Sequence, residues 1–462
     1  MPVPSASSAD PNSHRSAHPG LWRDTDFRSL WVGQSASQLG EHTSLVVLPL
    51  LAVLTLDATA GELGVLRAAG QAPILLLSLL AGAWVDRWRT RTTMVLTDLG
   101  RALALGAVAA AGLFGALGMP GLLALAFTVG ALSVFFDVAY QASLVRLVER
   151  HHLVRGNSAL EGSRSAAQIG GPALGGALVS LLSAPIAAAS SALFFTLSFL
   201  SIRRIRRDEA MPERPEEPRT GAGHGGTHPG TTAPRTGRRI MEGLRFVAAD
   251  SVLRSVCLAS AAFQFSLAAM MTVYLLFLPR ELHLPGIVVG LALAAAGPGA
   301  LLGSLLAARL PRRFGYGPVL VCAATLGDGA FLGVPALHSG SPVTVPVLLT
   351  AGLVFGLGGQ LVNVTVMAVR QAVTPDGLQG RAAATITFAG MGLAPLGSLA
   401  GGHLAGEWGL RTALLVTAAG MLLSPLVMAL SPLARPGREL PAPHHTPPTA
   451  GRTPPPDAAR DT

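Results

Sequence analysis

Residues 61–91 read GELGVLRAAGQAPILLLSLLAGAWVDRWRTR. The first two dozen positions carry charge only at Glu62 and Arg67, and are otherwise small or apolar. About 20 such residues in a helix span the ~30 Å hydrocarbon core of a bilayer. The run stops at Asp86-Arg87-Trp88-Arg89-Thr90-Arg91, where one acid and three bases fall together. Working outward, the same pattern of apolar block and short polar turn repeats along the chain. Twelve blocks have a spanning length: 29–56, 61–84, 92–117, 121–145, 159–182, 184–202, 252–278, 285–308, 316–337, 343–368, 382–405 and 411–431. Only helices and closed barrels satisfy every backbone polar group in lipid. Barrels need alternating strands of about ten residues, whereas these blocks are continuous and rich in Leu, Ala and Gly. The pattern predicts an all-α membrane protein with twelve transmembrane helices.

Composition agrees. Only 13% of the 462 residues are charged and 50% are hydrophobic, against roughly 25% charged in an average globular domain. An ordinary soluble enzyme is excluded. The net charge of +9 comes from 34 basic residues, all of them Arg. With the N-terminus inside and twelve alternating helices, 29 Arg fall on the cytoplasmic side and only Arg280 and Arg411 outside, while Arg67, Arg101 and Arg164 lie within helices. Cytoplasmic loops are enriched in Arg and Lys. The excess charge therefore reads as a topology signal and not as a nucleic-acid footprint. It predicts a multi-pass protein of the cytoplasmic membrane with both termini cytoplasmic. The polar first twenty residues do not read as a signal peptide. Cys257 and Cys322 lie in apolar blocks and are predicted to be buried thiols without a disulfide. No Cys/His cluster has metal spacing, and no Walker-type phosphate loop is present, so neither a metal nor a bound cofactor is expected.

The blocks divide the chain. Residues 1–26 and 432–462 read as disordered cytoplasmic tails, the second rich in Pro. Residues 27–202 and 252–431 each hold six helices. Between them, 203–251 reads as a cytoplasmic linker, with Ile240, Leu244 and Val247 spaced like a short amphipathic helix at the membrane surface. The halves resemble each other at an offset of 226: Leu75 and Leu76 meet Leu301 and Leu302, and Arg87 meets Arg313. Further on, Arg146 and Leu153 fall opposite Arg370 and Leu378 with a small gap, and the Pro172 region falls opposite the Pro395 region. Two pseudo-symmetric halves in parallel orientation are common in secondary transporters.

Two motifs carry a family resemblance. Gly82, Asp86, Arg87 and Arg91 are similar to motif A of the major facilitator superfamily, with Arg89 and Thr90 departing from it. The resemblance implies a latch between the halves on the cytoplasmic side, with Asp137 as the partner carboxylate. A plain stop-transfer loop is the alternative. Gly171-Pro172-Ala173-Leu174-Gly175-Gly176 resembles motif C of the drug–proton antiporters, although Ser158 and Ala167 replace its upstream glycines. Ordinary small-residue helix packing is the competing explanation. Phe27 to Ser35, Leu99 to Ala102 and Phe135 to Gln141 look like the branch of enterobactin exporters and macrolide efflux proteins. The resemblance covers about 27–431 and implies export of a drug, siderophore or other secondary metabolite, driven by a proton gradient with no other cofactor.

Polar residues in hydrocarbon usually face a cavity or a partner. Gln34, Ser37, Gln38, Glu41 and Ser44 share one helical face, with Glu41 near mid-membrane. Glu161, Arg164, Ser165 and Gln168 share another, as do Asp137 and Gln141. Asp98 and Arg101 stand three apart and are placed to satisfy each other. The second half offers Gln264, Asp328, Gln360 and Asn363. Candidate cavity residues are Gln34, Gln38, Glu41, Tyr140, Gln141, Arg164, Gln168, Gln264, Gln360 and Asn363, with Tyr274 a further pocket aromatic. A carboxyl taken out of water holds its proton more readily, which makes Glu41, Asp98 and Asp137 the candidates for proton coupling. A structural hydrogen bond is the other reading of Glu41. The sequence thus predicts a non-enzymatic secondary transporter, functional as a monomer. Its only partners are a small molecule, protons and lipid. An importer or facilitator on the same fold, or a membrane receptor or scaffold, are the alternatives.

Overall fold

The computed structural model describes residues 21–85, 88–147, 152–206, 244–375, 378–435 and 437, which form helices and short connections without a strand among them. Six helices precede the linker: α1 (Thr25–Thr55), α2 (Ala60–Val85), α3 (Thr90–Leu113), α4 (Met119–Leu147), α5 (Leu153–Leu181) and α6 (Ala184–Arg203). Six come after it: α7 (Ser251–Arg280), α8 (Gly286–Ala307), α9 (Tyr316–Ala336), α10 (Thr344–Val373), α11 (Ala382–Trp408) and α12 (Leu410–Leu430). Ten of these are long and apolar enough to cross a membrane. The 26-residue α2 and 29-residue α5 complete the twelve. Several helices are interrupted beside a proline, which removes a backbone donor and crowds the preceding turn. Thus α8 breaks at Ala295 before Pro298, α11 at Leu393 before Pro395, and α12 at Leu422 before Pro425.

The repeat is far more regular in space than in sequence. Asp24 caps α1 by accepting from the Asp26 and Phe27 amides at 2.8 and 3.3 Å. Asp250, 226 residues on, caps α7 through Val252 and Leu253 at 2.8 and 2.9 Å. Such caps satisfy amides that a helix start leaves without partners. Gly40 of α1 packs on Phe194 of α6, and its mate Ser266 of α7 donates to the Gly420 carbonyl of α12 at 3.0 Å. Gly130 of α4 lies against the Gly70 carbonyl of α2, as Gly356 of α10 lies against that of Ala296 in α8. Each pair is related by 226. The register therefore runs through both halves without a gap. It sets Ser398, not Pro395, opposite Pro172. What the two halves share is mainly small size at contact points, which identity matching misses.

The halves meet at one end, at two symmetry-related crossings. Gly64 of α2 packs backbone to backbone on Gly402 of α11, and Gly176 of α5 does so on Gly290 of α8. Ser180 Oγ accepts from the Ile287 amide at 2.6 Å, and Ser398 Oγ donates to Gln71 Oε1 at 3.3 Å. Arg280 donates to Asp57 and to the Ala58 carbonyl at 2.7 and 2.9 Å. The glycine crossings lie near the start of α2 and α8 and near the end of α5 and α11, opposite the Arg-rich connections, and the Gln71–Ser398 contact lies deeper along α2 and α11. Arg411 is tied at the same end, to Glu281 and to the Pro335 and Leu337 carbonyls.

Outer faces carry exposed Leu103, Leu193, Leu305 and Leu326, an apolar belt suited to lipid. Cys322 is exposed on α9, and Cys257 is half-buried, which corrects the expectation of two buried thiols. An apolar run in a membrane protein has two destinations, core or lipid, and hydropathy does not separate them. A helical turn covers 244–249. Its Val247 is buried against Leu253 and Val256, whereas Leu244 is exposed, and Ile240 lies outside the described residues. Packing continues past 431: Leu433 is buried, and the Tyr316 amide donates to the Gly437 carbonyl at 2.9 Å.

Candidate functional site

The polar residues of the first half converge on Arg101. Its guanidinium lies inside the bundle of α1, α3, α4 and α6, fully buried. Nη2 meets Asp98 Oδ1, the local partner expected from the i,i+3 spacing, and also donates to Ser37 Oγ at 3.0 Å. Nη1 donates to Ser133 Oγ at 3.2 Å and stands 3.8 Å from Glu41 Oε2. The rings of Phe136 and Phe195 flank the cation, each centroid 4.4 Å from Cζ, an arrangement that favours a desolvated guanidinium. Asp98 is held in turn by Ser37 and Ser198. An ion pair taken out of water needs such hydrogen bonds to offset its lost hydration, although Arg101 Nε is buried without a partner among the described residues.

Glu41 stands at the edge of this cluster with its side chain 27% exposed. Asp137, Arg101, Arg164 and Asp98 all lie within electrostatic range of it. Asp137 is in range of Arg101 and Arg164, and Tyr140 of Glu161, Arg164 and Asp137. The structure thus brings together Glu41, Asp98, Asp137, Tyr140 and Arg164. Gln141 is exposed on α4, and Glu161, Arg164 and Gln168 are exposed on α5. Gln34 and Gln38 are buried at 1% and 5% exposure and do not open to a cavity. Ser133 and Ser198 belong to the site although sequence reading passed over them, because a serine in a small-residue helix gives no signal of its partner.

The second half holds a cavity of about 320 Å³ instead of a charge cluster. It is lined by Gln264 and Asn363 as expected, and by Asp328, Phe263, Met367 and Met428 among others. Gln360 packs toward Gly303 of α8 and does not line it. Tyr274 is buried edge-on against Phe331 and stands outside this cavity.

Motif A is partly visible. Gly82 lies in the last turn of α2, Asp86 and Arg87 lie outside the described residues, and Arg91 donates to the Arg203 carbonyl of α6 at 2.6 Å. Motif C is fully visible and divides between two neighbours. Gly171 and Gly175 face α1, where Thr43 Oγ1 donates to the Gly171 carbonyl at 3.3 Å. Gly176 and the Pro172 carbonyl face Gly286 and Gly290 of α8. A single methyl group on Gly176 would meet the backbone of the other half.

A family model described as transmembrane secretion effector matches residues 18–449. The chain belongs to this family of the major facilitator superfamily. The multidrug efflux pump Tap of Mycobacterium tuberculosis is 29% identical over 407 residues, covering 84% of this chain and 89% of that protein. An uncharacterized transporter of the superfamily from Bacillus subtilis, YfiS, is 25% identical over 402 residues, covering 86% and 91%. Among solved structures, an inward-facing bacterial homologue of the iron transporter ferroportin superposes with a TM-score of 0.69 at 18% identity, covering 89% of this chain and 98% of that one. As a major facilitator protein the chain is a transporter and not an enzyme. In its two-half architecture the charge cluster belongs to the first half and the cavity to the second.

Proposed function

We propose that this transporter exports a small organic molecule across the cytoplasmic membrane in exchange for protons. The Arg distribution supports both termini being cytoplasmic, with 29 Arg inside and two outside. In that orientation the glycine crossings seal the outer end and the cleft faces the cytoplasm, the loading side of an exporter. The efflux role in the name of the mycobacterial relative supports the same direction. Alternating access then rocks the halves about the crossings, within one chain.

The observation that carries the proton step is the 3.8 Å approach of Glu41 to Arg101. Asp98 already meets this cation, so Glu41 is a second carboxylate on one charge. Ionised, Glu41 is drawn to Arg101 and Arg164. Protonated, it is not. One proton therefore changes the attraction between α1, α3 and α5 at the cleft wall.

The test uses the purified chain in liposomes with an imposed pH step, and radiolabelled chloramphenicol and tetraphenylphosphonium as neutral and cationic probes. Uphill, protonophore-sensitive movement is expected. Glu41→Gln should retain downhill exchange and lose pH-driven accumulation. Full coupling in Glu41→Gln refutes its role, and no uphill movement of either probe overturns proton-driven export.

A further inference from the structure

We infer that the cavity of the second half is a docking lobe for an organic cation, with Asp328 as its counter-charge. This names the substrate class of the transport site and so rests on the transport reading above.

The 226-residue register supplies the first argument. Gly327 is the mate of Arg101, and Ala324 is the mate of Asp98. Four of the groups that surround the buried Arg101–Asp98 pair have mates as well: Ser37 maps to Phe263, Ser133 to Gly359, Phe136 to Val362 and Ser198 to Ser424, whereas Phe195 maps to the buried Met421 outside the cavity. Ala324 and these four mates all line the cavity. The surroundings of the buried Arg101–Asp98 pair in one half therefore correspond largely to cavity wall in the other.

Asp328 supplies the second. It lines that cavity at 4% exposure, and among the described residues it has no hydrogen bond and no ion pair. Among the described residues no cation lies within electrostatic range of it. Arg370 also lines the cavity, but on the last turn of α10. Gly327, beside Asp328, touches Gly358 of the same helix, so the backbone of Arg370 stands about 18 Å of helix rise from the level of Asp328, and no ion pair joins the two. A buried carboxylate without a partner is costly, and an arriving ammonium or phosphonium would offset that cost. The remaining lining gives shape tolerance: Met367, Met391 and Met428 are flexible and polarizable, Phe263 offers a ring, and Gln264 and Asn363 add polar contacts. Volume and lining fit a small-molecule pocket.

Equilibrium binding of radiolabelled tetraphenylphosphonium to the purified full-length protein tests this without any transport step. Asp328→Asn is isosteric and should weaken binding about tenfold or more, while Asp328→Glu should stay within about threefold. Chloramphenicol should be unaffected by either substitution. Equal cation binding by wild type and Asp328→Asn, or no saturable binding by wild type, overturns the inference. If Asp328→Asn does not purify folded, protection of wild-type Asp328 from carbodiimide labelling by tetraphenylphosphonium decides instead, and no protection overturns it. Transport of chloramphenicol with no Asp328-dependent cation binding would sink this inference and leave export standing. Asp328-dependent binding with no uphill transport would do the reverse.

Discussion

Arg101 lies on Asp98, one turn earlier on α3, and neither side chain reaches solvent. Removing the cation leaves a carboxylate enclosed by serines and aromatic rings. Arg101→Met should cost about 3–5 kcal/mol of stability, read as a lowered melting temperature in detergent. Pairing it with Asp98→Asn should recover most of the loss. A double variant as unstable as Arg101→Met alone would show that the pair is not the source. Arg101→Lys should also be costly, since an ammonium cannot keep the planar fork to Ser37 and Ser133.

Gly176 and Gly402 should behave alike because they are mates at the two crossings. A Cβ at either meets backbone of the opposite half, at Gly290 and Gly64 respectively, whereas Gly406 on α11 has open space. Gly176→Val and Gly402→Val should each favour opening at that end, seen as faster labelling of a cysteine placed near Ser180 by an impermeant maleimide. Gly406→Val should label at the wild-type rate. If all three label alike, steric contact at the crossings does not hold that end shut.

The two Arg at the sealed end differ in weight. Arg280 pairs with Asp57, which is 96% exposed, and exposed pairs contribute little. Arg280→Gln should change the labelling rate by less than about fivefold and do so less at high salt. Arg411 also holds the carbonyls that end α9. Arg411→Ala should cost about 1–3 kcal/mol, read as a lowered melting temperature. Equal, small effects of the two substitutions would contradict this ranking.

Ser198 tests the finer structure of the buried pair. Its hydroxyl donates to Asp98 Oδ2 from α6. Ser198→Ala should cost about 1–3 kcal/mol and should have no effect once Asp98→Asn is present. Equal loss in both backgrounds would place the effect outside this bond.

The helix count, the Asp98–Arg101 pairing and the family were legible because each leaves a local mark: block length, a three-residue spacing, a glycine-proline motif. The partners of Arg101 were not. Ser133 and Ser198 lie on other helices, and nothing near them in sequence announces a guanidinium. Gln34 and Gln38 show the opposite failure. Their spacing fixed a common face, but a polar face can turn inward to its own half as readily as toward the cleft. The repeat was half legible. Its offset could be read from leucines, yet its continuity to α12 depends on small residues whose identities changed.

The constant spacing of 226 also says where chain length is free to change. Deleting one residue within a membrane helix turns the remainder of that helix by about 100° and carries its glycines off their contacts in that half alone. Residues inserted between α6 and α7 shift every mate equally and rotate nothing. Insertions should therefore gather in that segment. A gene cut there into two reading frames should still yield halves that find each other, since both glycine crossings between them are made by the membrane helices themselves.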